Sequence, residues 1–118
     1  MSEQTNPIHE ERPWGSFTVL TEGEGFKSKI IKVKPSGQLS LQSHKHRAEH
    51  WVVAQGTATV TLGEEKFDLE AGQSIDIPKG AIHRIENFSD APVDIIEVQY
   101  GAYLGEDDIV RYEDIYGR

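Results

Sequence analysis

The sequence contains no cysteine. Disulfides, thiolate metal ligands and cysteine nucleophiles are therefore excluded, and the fold needs no oxidising compartment. A long apolar run is missing too: none approaches the ~20 residues with which a helix crosses a bilayer, so no membrane partner is expected. Positive charge is scarce, with 12 Lys and Arg against 20 Asp and Glu and a net charge of −8. Nucleic-acid binders normally carry a basic stripe; none is visible, so nucleic acid is not an expected partner. An anionic ligand must instead be held by a local group of Arg or Lys, against the overall field. The opening MSEQTNPIHEERPWG has neither the basic start nor the apolar stretch of a secretory signal. The expected location is the cytoplasm.

Helical periodicity is also lacking. What is there instead is a series of short runs rich in Val, Ile and Thr, punctuated by many of the chain's 11 glycines. Strand-like runs cover 16–21, 26–33, 38–44, 49–55, 57–62, 65–69, 73–77, 82–86 and 93–100, with turn residues between them. A chain of 118 residues fits one domain, and nine short strands predict an all-β sandwich or barrel. Residues 1–11 read as a loose arm and 12–118 as the domain proper. The tail LGEDDIVRYEDIYGR reads either as a short helical turn or as an irregular segment packed on the barrel.

The stretch LQSHKHRAEHW holds three of the five histidines. Alternation along a strand points Gln42 and His44 the same way. A two-residue turn at Arg47–Ala48 would pair His46 with Glu49, but such turns favour Gly, Asn or Asp. A four-residue turn over 45–48 is more comfortable. It sets His44 across from Glu49 with Gln42 behind them, and leaves His46 and Arg47 at the loop tip. His50 then points away, and Trp51 shares the Glu49 face. Downstream, Pro78 and Gly80 make a turn before the strand carrying His83. In a closed barrel His83 completes the group. Two imidazoles, a carboxylate and an amide oxygen suit zinc, manganese, cobalt or iron, with positions left for water or substrate.

These residues resemble the cupins, small jelly-roll β-barrels. Gln42, His44, Glu49 and Gly56 match the first cupin motif, with Gln in place of its first His and with Gly37 one residue closer than usual. Gly72, Pro78, Gly80, His83 and Asn87 match the second in full. RPWGSF, SLQSHKHRAEHW, VVAQGTATV and the tail from IEVQYG onward together resemble the type II phosphomannose isomerase domain. That domain often forms the C-terminal part of enzymes that also make GDP-mannose. The resemblance runs from Arg12 to Arg118. A chain of this length has no room for the nucleotidyltransferase half. Gly72 departs from the type, where Asn is common, and a lost side-chain contact there is expected to alter the site slightly.

The resemblance implies a metal-dependent isomerase interconverting mannose 6-phosphate and fructose 6-phosphate through an enediol. It implies one divalent ion, zinc foremost, on Gln42, His44, Glu49 and His83. It implies functional roles for Arg47, Glu49, Glu97, Arg111 and Arg118. Glu97 is the candidate base, with His46 as its rival. Arg47 is both a catalytic and a substrate-binding candidate, and Arg111 and Arg118 are expected to grip the phosphate. Four readings compete or combine: the isomerase, a non-catalytic sugar-phosphate-binding or regulatory metal cupin, a small metal oxygenase, and a companion to a separate guanylyltransferase. A homodimer is expected through the N-terminal arm.

Overall fold

A computed structural model describes residues 8–115, and every regular element in it is a β-strand. The strands are β1 (His9–Arg12), β2 (Gly15–Gly23), β3 (Phe26–Val33), β4 (Leu41–Ser43), β5 (Arg47–Gln55), β6 (Thr57–Leu62), β7 (Glu65–Glu70), β8 (Ser74–Ile77), β9 (His83–Glu86), β10 (Val93–Gly101) and β11 (Val110–Glu113). They form two sheets, in the orders β1-β2-β3-β10-β5-β8 and β11-β4-β9-β6-β7, with every pairing antiparallel. The two sheets face each other around one core, and the all-β expectation holds.

All nine expected runs carry a strand, although 38–44 shrinks to β4 plus a single bridge between Gln38 and Glu86. Two further strands go beyond the expectation. β1 pairs with β2 from His9↔Thr18 to Arg12↔Gly15, so residues 9–11 belong to a sheet edge rather than to a loose arm. Residues 1–7 of that arm lie outside the described residues. β11 pairs with β4 and makes residues 110–113 of the tail an edge strand, while the described tail residues on either side of it are turn or irregular, as the second of the two readings expects.

The 41–55 region needs a further correction. β4 and β5 are not a hairpin: β4 pairs with β9 and β11, whereas β5 pairs with β10 and β8. The chain crosses from one sheet to the other between Ser43 and Arg47. Gln42, His44 and Glu49 converge from opposite walls of the barrel, not across a turn.

Strand alternation builds the interior. In β5, Arg47, Glu49, Trp51 and Val53 are buried; in β10, Val93, Ile95, Glu97 and Gln99 are. Antiparallel register aligns them, with Ile95 opposite Val53, Glu97 opposite Trp51 and Gln99 opposite Glu49. On the other side of β10, Val93 meets Val33, Ile95 meets Ile31 and Glu97 meets Lys29. Each strand thus passes from an apolar half to a polar half at the same level. The apolar end, with Val33, Val53, Val60, Ile85, Val93 and Ile95, is the hydrophobic core. The other end is a polar cavity inside the barrel.

The motif glycines and Asn87 have structural reasons. Gly56 has φ of 84°, and a Cβ there would lie 2.5 Å from the Pro92 carbonyl oxygen. Asn87 is fully buried; its Nδ2 donates to the Val33 and Ala91 carbonyls and its Oδ1 accepts from Ser89. Gly72 sits in the β7–β8 turn at φ of 92°, and a Cβ added there would meet nothing within 4 Å. The left-handed conformation suits Gly or Asn alike, so this departure concerns the turn and not the site.

Candidate metal centre

The polar end opens as a cavity of about 100 Å³. Gln42, His44, Arg47, Glu49, His83, Glu97 and Arg111 all line it. Six are buried or partly buried and Arg111 is exposed, on edge strand β11 opposite Gln42. Seven of the nine site residues read from the sequence are therefore brought together. Arg118 lies outside the described residues. His46 is the exception: it is exposed, and its ring meets Tyr103 edge-on at 5.9 Å between centroids, outside the cavity. The reason is alternation. β5 begins at Arg47, which turns inward with Glu49, and so His46 faces out. Arg47 in turn is not at a loop tip but buried, at 7% exposure.

His44, Glu49 and His83 have ligating atoms all within 4.8 Å of one another. The backbone fixes both tautomers. His44 Nδ1 is 2.7 Å from the Asp108 carbonyl oxygen, and His83 Nδ1 is 2.9 Å from that of Ala81. A carbonyl only accepts, so each Nδ1 carries the proton and each Nε2 presents a lone pair. Burial, then the neighbouring Arg47 charge, bring the His44 pKa down to about 4; burial also lowers that of His83. Both rings are thus neutral at pH 7. Their Nε2 atoms lie 3.3 and 3.8 Å from the two Glu49 carboxylate oxygens. Lone pairs facing a buried carboxylate repel unless a cation joins them, so the donor set fits a metal ion.

Arg47 supplies one positive charge there. Its Nε donates to Glu49 Oε2 at 2.7 Å and its Nη2 to His44 Nε2 at 3.2 Å. Gln42 Nε2 donates to the carbonyl and hydroxyl oxygens of Ser40, at 3.1 Å each. Its remaining donor atom for a cation is Oε1.

Beside Glu49 stands a second buried carboxylate, Glu97. The Trp51 indole N–H bridges the two, 3.0 Å from Glu49 Oε1 and 3.1 Å from Glu97 Oε2. Gln99 Nε2 donates to Glu97 Oε1 at 2.8 Å. Burial first, and the Glu49 charge second, push the Glu97 pKa up to about 7, partly offset by Lys29. The arrangement holds one carboxyl poised to gain or lose a proton beside a group of metal-type donors.

Several residues of the site were not singled out in the sequence. Lys29, on β3, is buried and lines the cavity; its shared parity with Ile31 and Val33 was the available signal. Asp108 holds the rim: its carboxylate accepts from the amides of Lys45 and His46 at 2.9 Å each. No local pattern marks it, because its partners are more than 60 residues away. His50 faces out and pairs with Asp76 at 2.6 Å, as its parity predicts. His9, on β1, bonds Thr18 of β2 and Glu11 of its own strand and does not line the cavity.

Residues 2–114 match the family described as mannose-6-phosphate isomerase C-terminal. The xanthan biosynthesis protein XanB of Xanthomonas campestris pv. campestris is 56% identical over 91% of this chain and 23% of its own length. The alginate biosynthesis protein AlgA of Pseudomonas putida is 52% identical over 99% of this chain and 24% of its own. The mannose-1-phosphate guanylyltransferase ManC of Salmonella typhimurium is 52% identical over 94% and 24%. The chain thus spans about a quarter of the length of these curated relatives. Among solved structures, a double-stranded β-helix protein from Klebsiella pneumoniae superposes with a TM-score of 0.73 at 19% identity, over 97% of this chain and 90% of that one. An oxalate decarboxylase of Lactobacillus farciminis gives 0.77 at 22%, over 89% and 33%. The fold is that of the cupins, and the chain belongs to the mannose-6-phosphate isomerase C-terminal family.

Proposed function

We propose that this chain is a metal-dependent aldose–ketose isomerase interconverting mannose 6-phosphate and fructose 6-phosphate. The observation that carries the reading is the carboxylate pair Glu49–Glu97 under the Trp51 indole, next to two imidazoles with their lone pairs turned inward. His44, Glu49, His83 and the Gln42 amide oxygen would hold the ion, zinc foremost, with manganese, cobalt or iron as alternatives. Bound there, a divalent ion would act as a Lewis acid toward the sugar oxygens.

The chain's own residues do the proton work. The isomerisation takes a proton from C2 of the aldose and returns it to C1, with a second proton passing between the two oxygens. Glu97 is the base: a carboxyl titrating near 7 can both accept and give back a proton at neutral pH. Trp51 and Gln99 each hold one of its oxygens and so orient it. Arg47 balances the Glu49 charge, and together with Arg111 it offers cations to an anionic substrate. Arg118, outside the described residues, joins them in this reading on the family resemblance alone. His46 takes no part, since it lies outside the cavity.

The sugar phosphate would pass to a guanylyltransferase, in a longer chain or a separate one, in the cytoplasm. Association as a homodimer through the exposed edge at β1 is part of this reading. The test is direct. The purified protein is analysed for metal, and mannose 6-phosphate conversion is followed before and after chelation. Conversion that is lost with the metal and restored by adding it supports the isomerase. Tight sugar-phosphate binding without conversion by any divalent metal would instead establish the non-catalytic reading.

A further inference from the structure

A buried lysine needs a reason. Lys29 is 5% exposed and lines the cavity from β3, directly opposite Glu97 in the sheet register. Its ammonium rests 4.2 Å above the Phe17 ring, which fixes it from one side. Its partner is Glu106, with Nζ 3.0 Å from Oε2; the Lys27 ammonium is 3.5 Å from the same oxygen. That carboxylate does not come from a strand. Glu106 belongs to the connection between β10 and β11, its side chain is 57% exposed, and it too lines the cavity. A cation set inside the barrel is therefore neutralised by a carboxylate that reaches in from the rim.

We infer that Lys29 is an anchor for a substrate phosphate, and that the Glu106 carboxylate holds that position until a phosphate monoester displaces it. The inference rests on reading the substrate as a sugar phosphate. A phosphate monoester carries nearly twice the charge of a carboxylate and three acceptor oxygens, so it competes well for an ammonium. Glu106 can yield without unlatching its segment. Leu104 is held through its carbonyl by Lys27, and Asp108 is held by the Lys45 and His46 amides and by His44. Only the side chain between these two fixed points has to swing. The placement also separates roles along one row of the sheet: Lys29 takes the phosphate end, and Glu97 beside it faces the carbons that exchange a proton.

The test is direct binding by calorimetry to the full chain, free of metal so that no turnover intrudes. The ligands are inorganic phosphate, mannose 6-phosphate and unphosphorylated mannose. Glu106→Gln removes the competing charge at an exposed position. It should tighten inorganic phosphate and mannose 6-phosphate by about tenfold and leave mannose unchanged. Lys29→Arg should keep phosphate binding, and a folded Lys29→Met should lose it. If Lys29→Met fails to fold, the Glu106→Gln result decides alone. Unchanged or weaker phosphate binding in Glu106→Gln, or an equal gain for mannose, overturns the inference. Should no metal support conversion while Glu106→Gln still tightens phosphate, the isomerase reading falls and the anchor stands.

Discussion

Replacing Asp108 by Ala tests how the tail supports the metal centre. Asp108 is 7% exposed and lies between β10 and β11. Its two carboxylate oxygens accept amide hydrogen bonds of 2.9 Å from Lys45 and His46, in the segment that crosses between the sheets. Its own carbonyl accepts the His44 Nδ1 proton. Two charge-assisted bonds are each worth about 1.5–3 kcal/mol net. Lys45 and His46 are exposed, so water replaces part of the loss, and about 2 kcal/mol remains. For 118 residues, with an unfolding entropy of ~2.1 cal/mol/K each, that lowers Tm by about 8 °C. The His44 carbonyl partner survives in the backbone but is no longer held in place, so metal affinity should fall roughly 10- to 100-fold. Thermal unfolding and competition against a chelator measure the two effects. Asp108→Asn adds a pH check. Burial alone would raise the Asp108 carboxyl, but the two amide donors outweigh it and hold its pKa below the ordinary 3.8. Its charge therefore contributes stability above pH 3.8 that is lost as pH falls through the lower folded value. The stability gap between the parent and Asp108→Asn should close in that acid window. An Asp108→Ala protein with parental Tm and parental metal affinity would refute the latch.

Three further outcomes follow from the same geometry. Zinc binding near pH 7 should release protons, because a cation beside Glu49 removes part of what holds the Glu97 pKa up at about 7; calorimetry in buffers of different ionisation enthalpy reads the number, and zero release contradicts it. Trp51→Phe deletes the N–H shared by Glu49 and Glu97, costs roughly 2 kcal/mol and raises the Glu97 pKa further, which carbon-13 NMR of the labelled carboxyl would follow. Gly101→Ala puts a Cβ 2.4 Å from the His46 carbonyl oxygen, with backbone on both sides of the clash. It should cost about 3 kcal/mol or more by denaturant unfolding, and a neutral result would mean that β10 and the 46–47 crossing are not packed as described.

Much of this was legible in the sequence because turn chemistry is local. Gly and Pro punctuation located all nine core runs, and the two motif halves located His44, Glu49 and His83. The edge strands were not legible for a physical reason: β11 is exposed at all four positions, so it carries no alternation, and β1 reads HEER. The β4–β5 hairpin was misjudged because turn rules speak only of neighbours in sequence. The chain there leaves one sheet for the other, a choice set by the register of β9 and β10. That crossing also explains why Arg47 turns inward and His46 outward instead of sharing a loop tip. The tail contacts of Asp108 and Glu106 join residues more than 60 positions apart, beyond the reach of any local pattern.

The central claim is that Glu97 moves a proton on a sugar phosphate at a metal-loaded site. The decisive measurement is proton NMR of mannose 6-phosphate with the metal-loaded chain in heavy water. Fructose 6-phosphate should accumulate with deuterium entering at the exchanging carbons, chelation should stop it, and Glu97→Gln should slow it by about 10²- to 10⁴-fold while metal stays bound. Mannose 6-phosphate left unchanged and undeuterated with metal bound, or an unimpaired Glu97→Gln, would contradict the account.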